Sequence, residues 1–139
     1  MTEHDVKHFF DGYANAFSRS AAAEICEHWA YPAFFSARGQ SASLNREDFE
    51  ANTEALCGFY QSQGVARVEK TVVSFVPLTR TIASATVTYR LYDREDKKIA
   101  GWDHIYLLSE TAEGIKAVVA LPDQELDAWT ARGTPLGQW

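Results

Sequence analysis

Apolar residues recur at helical spacing in the first part of the chain and at every second position in the part after residue 65. Val6, Phe9, Phe10, Tyr13 and Phe17 form one wide stripe, which predicts an amphipathic helix over residues 5–18. Thr2 or Asp5 is placed to cap it. A second helical stretch covers residues 21–30, with Ile25, Cys26 and Trp29 inward. Pro32 stops it, because the proline ring pushes Tyr31 toward extended geometry. Residues 34–36 read as a short strand that turns at Arg38-Gly39 into residues 40–44. Asn45, with Asp48 three residues on, marks the start of a third helix. That helix carries Phe49, Thr53, Leu56, Cys57 and Tyr60 and ends near Gly64.

The remainder reads as strand. Residues 65–76 form one, broken by Pro77, and residues 79–92 form the next. In the latter, Ala85, Val87, Tyr89 and Leu91 alternate with Thr86, Thr88 and Arg90, the clearest period of two in the chain. A charged turn at 93–97 leads to residues 99–108, and Glu113-Gly114 turns into residues 115–121. Pro122 and Asp123 open a short helix through Trp129, and residues 132–139 read as a solvated tail. Helices followed by an antiparallel meander predict a single α+β domain over residues 1–139. Three N-terminal helices pack on one face of a curved antiparallel sheet, which closes into a cone around a pocket, and a short C-terminal helix completes it. The convex face suits water or a second copy of the chain, so a homodimer is expected there.

Composition narrows the function classes. At 139 residues with 46% apolar and 23% charged content, the chain supports one real core. A net charge of −6 and the absence of a basic stripe argue against nucleic acid. The apolar runs are far shorter than the roughly 20 residues of a membrane span. The opening MTEHDVKHFF lacks an apolar leader, so the mature chain is expected to begin there and to reside in the cytoplasm. Cys26 and Cys57 then read as reduced core thiols on separate helices. Aromatics make up 13%, enough to line a pocket or cover a sheet face.

This element order resembles the NTF2-like superfamily, the cone-shaped α+β barrel of ketosteroid isomerases, SnoaL-type polyketide cyclases, scytalone dehydratase and limonene epoxide hydrolase. The likeness runs from about Val6 to Leu121 and rests mainly on architecture. The steroid isomerases carry a helix Tyr, a base Asp on the first strand and a protonated Asp on a late strand. Tyr13, in FFDGYANAF, falls where the resemblance puts the helix Tyr. Asp103, in GWDHIYLL eleven residues before Gly114, falls near the late-strand Asp. An ungapped count from Tyr13 puts Ala37 at the base position, in FFSARGQ. Alanine cannot move a proton, which argues against steroid-type isomerisation.

Asp103 is the sharpest candidate: a carboxylate on a central strand is costly to bury unless protonated or paired. Facing the cone it becomes a general acid; facing solvent it pairs with Arg90. His104 competes, since adjacent strand residues point to opposite faces. Either Trp102, His104 and Tyr106 look inward, or Gly101, Asp103, Ile105 and Leu107 do; the family-like position favours Asp103. Tyr13 is a candidate oxyanion donor. Tyr31, Phe35, Tyr60, Tyr89 and Trp102, with Phe34, are candidate walls, and Arg38 a candidate anion contact at the mouth. His28 is expected to be solvated or paired with Glu24. His4 and His8 have the spacing of metal ligands but no completing motif, so they read as a wet helical face and no metal is expected. Neither a phosphate loop nor a nucleotide fingerprint is present. The resulting expectation is a cofactor-free binder of a small, mostly apolar molecule, acting by proton transfer as an isomerase, dehydratase or cyclase. A non-catalytic ligand-binding or dimerisation domain is the alternative.

Overall fold

The computed structural model describes residues 1–137. Helix α1 (Glu3–Ser18) starts with a reciprocal cap, in which Thr2 Oγ1 accepts from the Asp5 amide and Asp5 accepts from the Thr2 amide. Val6, Phe10, Tyr13 and Ala14 form its buried face. At its C-terminal end Ser18 Oγ bridges the amide and carbonyl of Val68, tying the helix to the sheet. Helix α2 is only Ala22–Glu27, without a side-chain cap. Trp29, expected on this helix, instead opens strand β1 (Trp29–Ala37). Six residues form too few intrahelical bonds to offset helix nucleation. The chain then finds backbone partners in the sheet, where the His28 carbonyl already accepts from the Ala117 amide.

Strand β1 turns through Arg38 and Gly39, both with positive φ (52° and 76°), into β2 (Gln40–Leu44). Paired positive φ values match the twist of a tight hairpin. Helix α3 (Arg46–Ser62) is capped by Asn45, which accepts from the Asp48 amide. Strands β3 (Arg67–Pro77), β4 (Ile82–Tyr92), β5 (Lys98–Thr111) and β6 (Gly114–Leu121) form the expected meander. Helix α4 (Asp123–Arg132) follows and ends at Gly133, whose φ of 86° is left-handed.

The six strands lie in the order β2-β1-β6-β5-β4-β3. The sheet is mixed rather than wholly antiparallel, because β1 runs parallel to β6. A parallel neighbour needs a long connection, and here helix α3 and the whole meander supply it. Irregularities between Val72 and Ser74 and between Leu107 and Leu108 break the ladders locally. Such bulges bend strands and increase twist, which curves the sheet around the helices. The tail does not simply trail into solvent: Leu136 folds back, half-buried against the core. Residues 138–139 of that expected tail lie outside the described residues. No helix among the described residues is long and apolar enough to cross a membrane.

Candidate functional site

The register of β4 against β5 decides which side chains enter the cone. Ala85 opposes Tyr106, Val87 opposes His104 and Tyr89 opposes Trp102. All six are buried on the concave face, so Trp102, His104 and Tyr106 look inward. Asp103, expected to face the cavity, points the other way. It is half-buried on the convex side, where Thr88 Oγ1 donates to its Oδ1 at 2.6 Å. Its expected solvent-side partner, Arg90, donates instead to Thr71 Oγ1. Successive residues alternate faces, so His104 and Asp103 could not share the cavity.

Between α1, α3, α4 and the concave sheet lies a cavity of about 280 Å³. Tyr13, Tyr60, Tyr89, Tyr106, Trp29 and Trp102 supply its aromatic wall, and Phe35 and Phe49 extend it. Tyr31 does not line it. Its hydroxyl donates to the Cys26 carbonyl at 2.7 Å and its ring packs on Phe49. Nor does Arg38, whose amide donates to Asp123 Oδ1 and whose guanidinium pairs with Asp127 at 2.8 Å. Arg38 therefore pins α4 to the β1–β2 turn rather than binding an anion at the mouth. Ala37 is buried outside the lining. His28 donates from Nδ1 to the Glu24 backbone carbonyl at 2.7 Å. His4 and His8 are exposed on α1, and among the described residues no group of three or more His, Cys, Asp or Glu gathers to hold a metal.

The chemistry of the cavity centres on a residue that the strand pattern does not reveal. Glu125, in the first turn of α4, is only 5% exposed and lines the cavity. Its Oε2 accepts from the Tyr60 hydroxyl at 2.5 Å and from the Trp129 indole at 3.2 Å. Burial pushes its carboxyl up to about 7, against the opposing pull of those two donors. It therefore exchanges a proton close to neutrality. A faint signal exists in the sequence: Pro122, Glu125, Leu126 and Trp129 share one helical stripe, and a glutamate in an apolar stripe points inward.

His104 lies beside it, with Nδ1 3.9 Å from Glu125 Oε1. The Trp102 indole N–H donates to that same Nδ1 at 3.2 Å. An indole nitrogen only donates, so Nδ1 is unprotonated and the neutral ring carries its proton on Nε2. Burial lowers the imidazole to about 3, which keeps it neutral through the physiological range. Each phenol has a partner: besides Tyr60 on Glu125, Tyr89 and Tyr106 share a hydrogen bond of 2.9 Å, and Tyr13 accepts from the Trp29 indole at 3.0 Å. Burial raises all four cavity tyrosines, so they remain neutral donors. The arrangement therefore combines one titrating carboxyl with neutral N–H and O–H groups in an aromatic enclosure.

Comparison with known proteins agrees with this architecture. A domain of unknown function with a cystatin-like fold from Nostoc punctiforme superposes with a TM-score of 0.68 at 16% identity, covering 87% of this chain and 77% of that one. An NTF-2 like protein of unknown function from Shewanella oneidensis gives 0.68 at 10% identity, covering 87% and 98%. A ketosteroid isomerase-like protein from Erwinia carotovora atroseptica gives 0.65 at 12% identity, covering 87% and 95%. These likenesses concern the fold alone. No curated protein matches the sequence. The family model described as NTF2-like protein (DUF6841) matches residues 2–125, and the chain belongs to that family.

Proposed function

We propose that this chain binds a small, mostly apolar molecule in its cavity and exchanges a proton with it through Glu125. The observation that carries this reading is a buried carboxyl poised near neutrality inside an aromatic cavity. A volume near 280 Å³ falls just below the roughly 300–1,000 Å³ typical of ligand sites, which favours a small guest. Tyr13 accepts from Trp29 and so keeps its own O–H available, and His104 keeps Nε2–H. Both are neutral donors suited to a developing oxyanion. Isomerisation, dehydration or cyclisation by proton transfer fits this set of residues, with Glu125 in the role expected of Asp103.

Calorimetric titration with a panel of small apolar compounds tests the binding. Saturable binding is expected, and loss of it in Leu56→Trp, which fills the cavity rim. For a compound that binds, solvent deuterium should enter the bound molecule with the wild type and not with Glu125→Gln. Uptake that survives in Glu125→Gln removes the catalytic role and leaves a binding domain.

A specific observation favours the non-catalytic alternative. Alanine stands at the position where the resemblance puts a base, and an apolar strip crosses the convex face. Phe34 opposes Val119, and Val119 opposes Leu107, with Phe34 and Val76 each 45% exposed. A second copy of the chain is our proposed cover for that strip. Sedimentation equilibrium tests it: a dimer is expected for the wild type and a monomer for Phe34→Glu, and a monomeric wild type rejects it.

A further inference from the structure

We infer that the cavity takes an organic cation, an ammonium group seated among the aromatic rings and against the carboxylate of Glu125. This deepens the reading above and rests on the cavity being the ligand site. The first support is an unmatched charge. Glu125 lines the cavity, and neither a lysine nor an arginine lines it with it. Its Oε2 is engaged by Tyr60 and Trp129, whereas Oε1 receives no hydrogen bond among the described residues. The nearest basic atom, His104 Nδ1 at 3.9 Å, already accepts from Trp102 and has no proton to give. A buried carboxyl either keeps its proton or needs a cation beside its charge, and among the described residues no cation stands at Oε1.

The second support is the wall. Tyr13, Tyr60, Tyr89, Tyr106 and Trp102 surround the same space, and the faces of such rings carry negative charge density that attracts ammonium groups. An anion would meet a carboxylate in an enclosure that offers no countercharge. A cation meets an opposite charge at Glu125 and rings on which it can settle. A methylated ammonium has no N–H to satisfy, so its entry costs less hydration than that of a primary ammonium. The carboxylate state that holds a cation is also the state that accepts a proton, so binding and proton transfer share one ionisation.

The groups facing Glu125 make the pH dependence readable. Tyr60 from α3, Tyr13 from α1, Tyr89 from β4 and Tyr106 from β5 all stay neutral, as does His104. Glu125 is then the facing group that titrates near neutrality. Cation affinity must rise with pH as its carboxyl ionises; affinity for a neutral acceptor held by the protonated acid must fall.

The experiment is calorimetry with choline and its uncharged carbon isostere 3,3-dimethyl-1-butanol, at about pH 6 and about pH 8. Choline is expected to bind about tenfold or more tightly than the isostere, with the margin widening at the higher pH. In Glu125→Gln that margin should collapse while the isostere still binds. Should Glu125→Gln fold poorly, the pH trend of the wild type decides alone. Equal or better binding of the isostere, or choline affinity that falls with rising pH, overturns the cation assignment and leaves a site for neutral ligands. Binding of neither compound also rejects the cation, while the apolar panel with Leu56→Trp reports separately on whether the cavity binds at all.

Discussion

Glu125 and Asp103 carry the same functional group in opposite surroundings on the two faces of one sheet. Asp103 sits half-buried on the convex face, one hydrogen bond from Thr88, where water still reaches it. Glu125 is enclosed on the concave side by Tyr60, Trp129, His104 and the cavity wall, and its carboxyl rises to about 7. Residue type alone does not make a functional acid. Enclosure does, by making the charged form costly and leaving the proton poised.

The enclosure of Glu125 depends most heavily on Trp129. Trp129 is fully buried, packs on Phe59, Tyr60 and Trp102, and donates to Glu125. Trp129→Ala is expected to destabilise the fold by about 3–5 kcal/mol in urea denaturation. A loss below 1 kcal/mol, on the order of a surface change, would show that α4 contributes little to the enclosure.

Next in size is the linkage of Glu125 to pH. Its folded value of about 7 stands above the ordinary 4.5, so the native state binds the extra proton. The associated stability is fully present below the unfolded value and is lost as pH rises through about 7. The loss is on the order of 3 kcal/mol. Urea midpoints measured across this window should fall with rising pH more steeply in the wild type than in Glu125→Gln. Parallel curves for the two proteins would mean that Glu125 is not held protonated.

A smaller effect sharpens the role of the tautomer. Trp102→Phe removes the N–H that His104 Nδ1 accepts, and a buried acceptor left without its donor costs about 1–3 kcal/mol. Nitrogen NMR of His104 should show Nε2–H in the wild type, and a shift toward Nδ1–H in the variant, where the ring can donate to Glu125. An unchanged tautomer would remove Trp102 as the group that sets it.

Least affected should be Asp103→Asn. Its partner is one exposed-side hydroxyl, so about 1 kcal/mol or less is expected, with ligand affinity in the cavity unchanged. A large loss of binding would place a function on the convex face and undo the contrast between the two carboxyls.

Periodicity made most of the fold legible. The alternation of Ala85, Val87, Tyr89 and Leu91 against Thr86, Thr88 and Arg90 predicts a strand buried on one face, and β4 is that strand. The caps at Thr2 and Asn45 mark α1 and α3 at their observed starts. Phe35, Tyr60 and Tyr89 are legible as walls because large aromatics at inward positions pack against the interior, and all three line the cavity, whereas Tyr31, which carries the same signal, does not. Residues 102–104 were ambiguous for a local reason. On β5, Trp102-Asp103-His104-Ile105 mixes polar and apolar side chains at both parities, so neither face is favoured by pattern alone. Helical spacing from Ile25 fits Trp29 as well as a strand does, and only the backbone pairing beside Ala117 draws it into β1.

Local physics thus dictates most elements of this chain, the end of α2 excepted: side-chain period, capping chemistry and prolines act over a few residues and need no partner. The face that each strand turns inward, and the identity of the acid, depend on contacts between segments far apart. Glu125 meets Tyr60 across 65 positions of sequence, and its carboxyl is ordinary until α4 docks on β5. Desolvation is a property of the surrounding volume rather than of any stretch of chain, so only the assembled cone gives the cavity its chemistry.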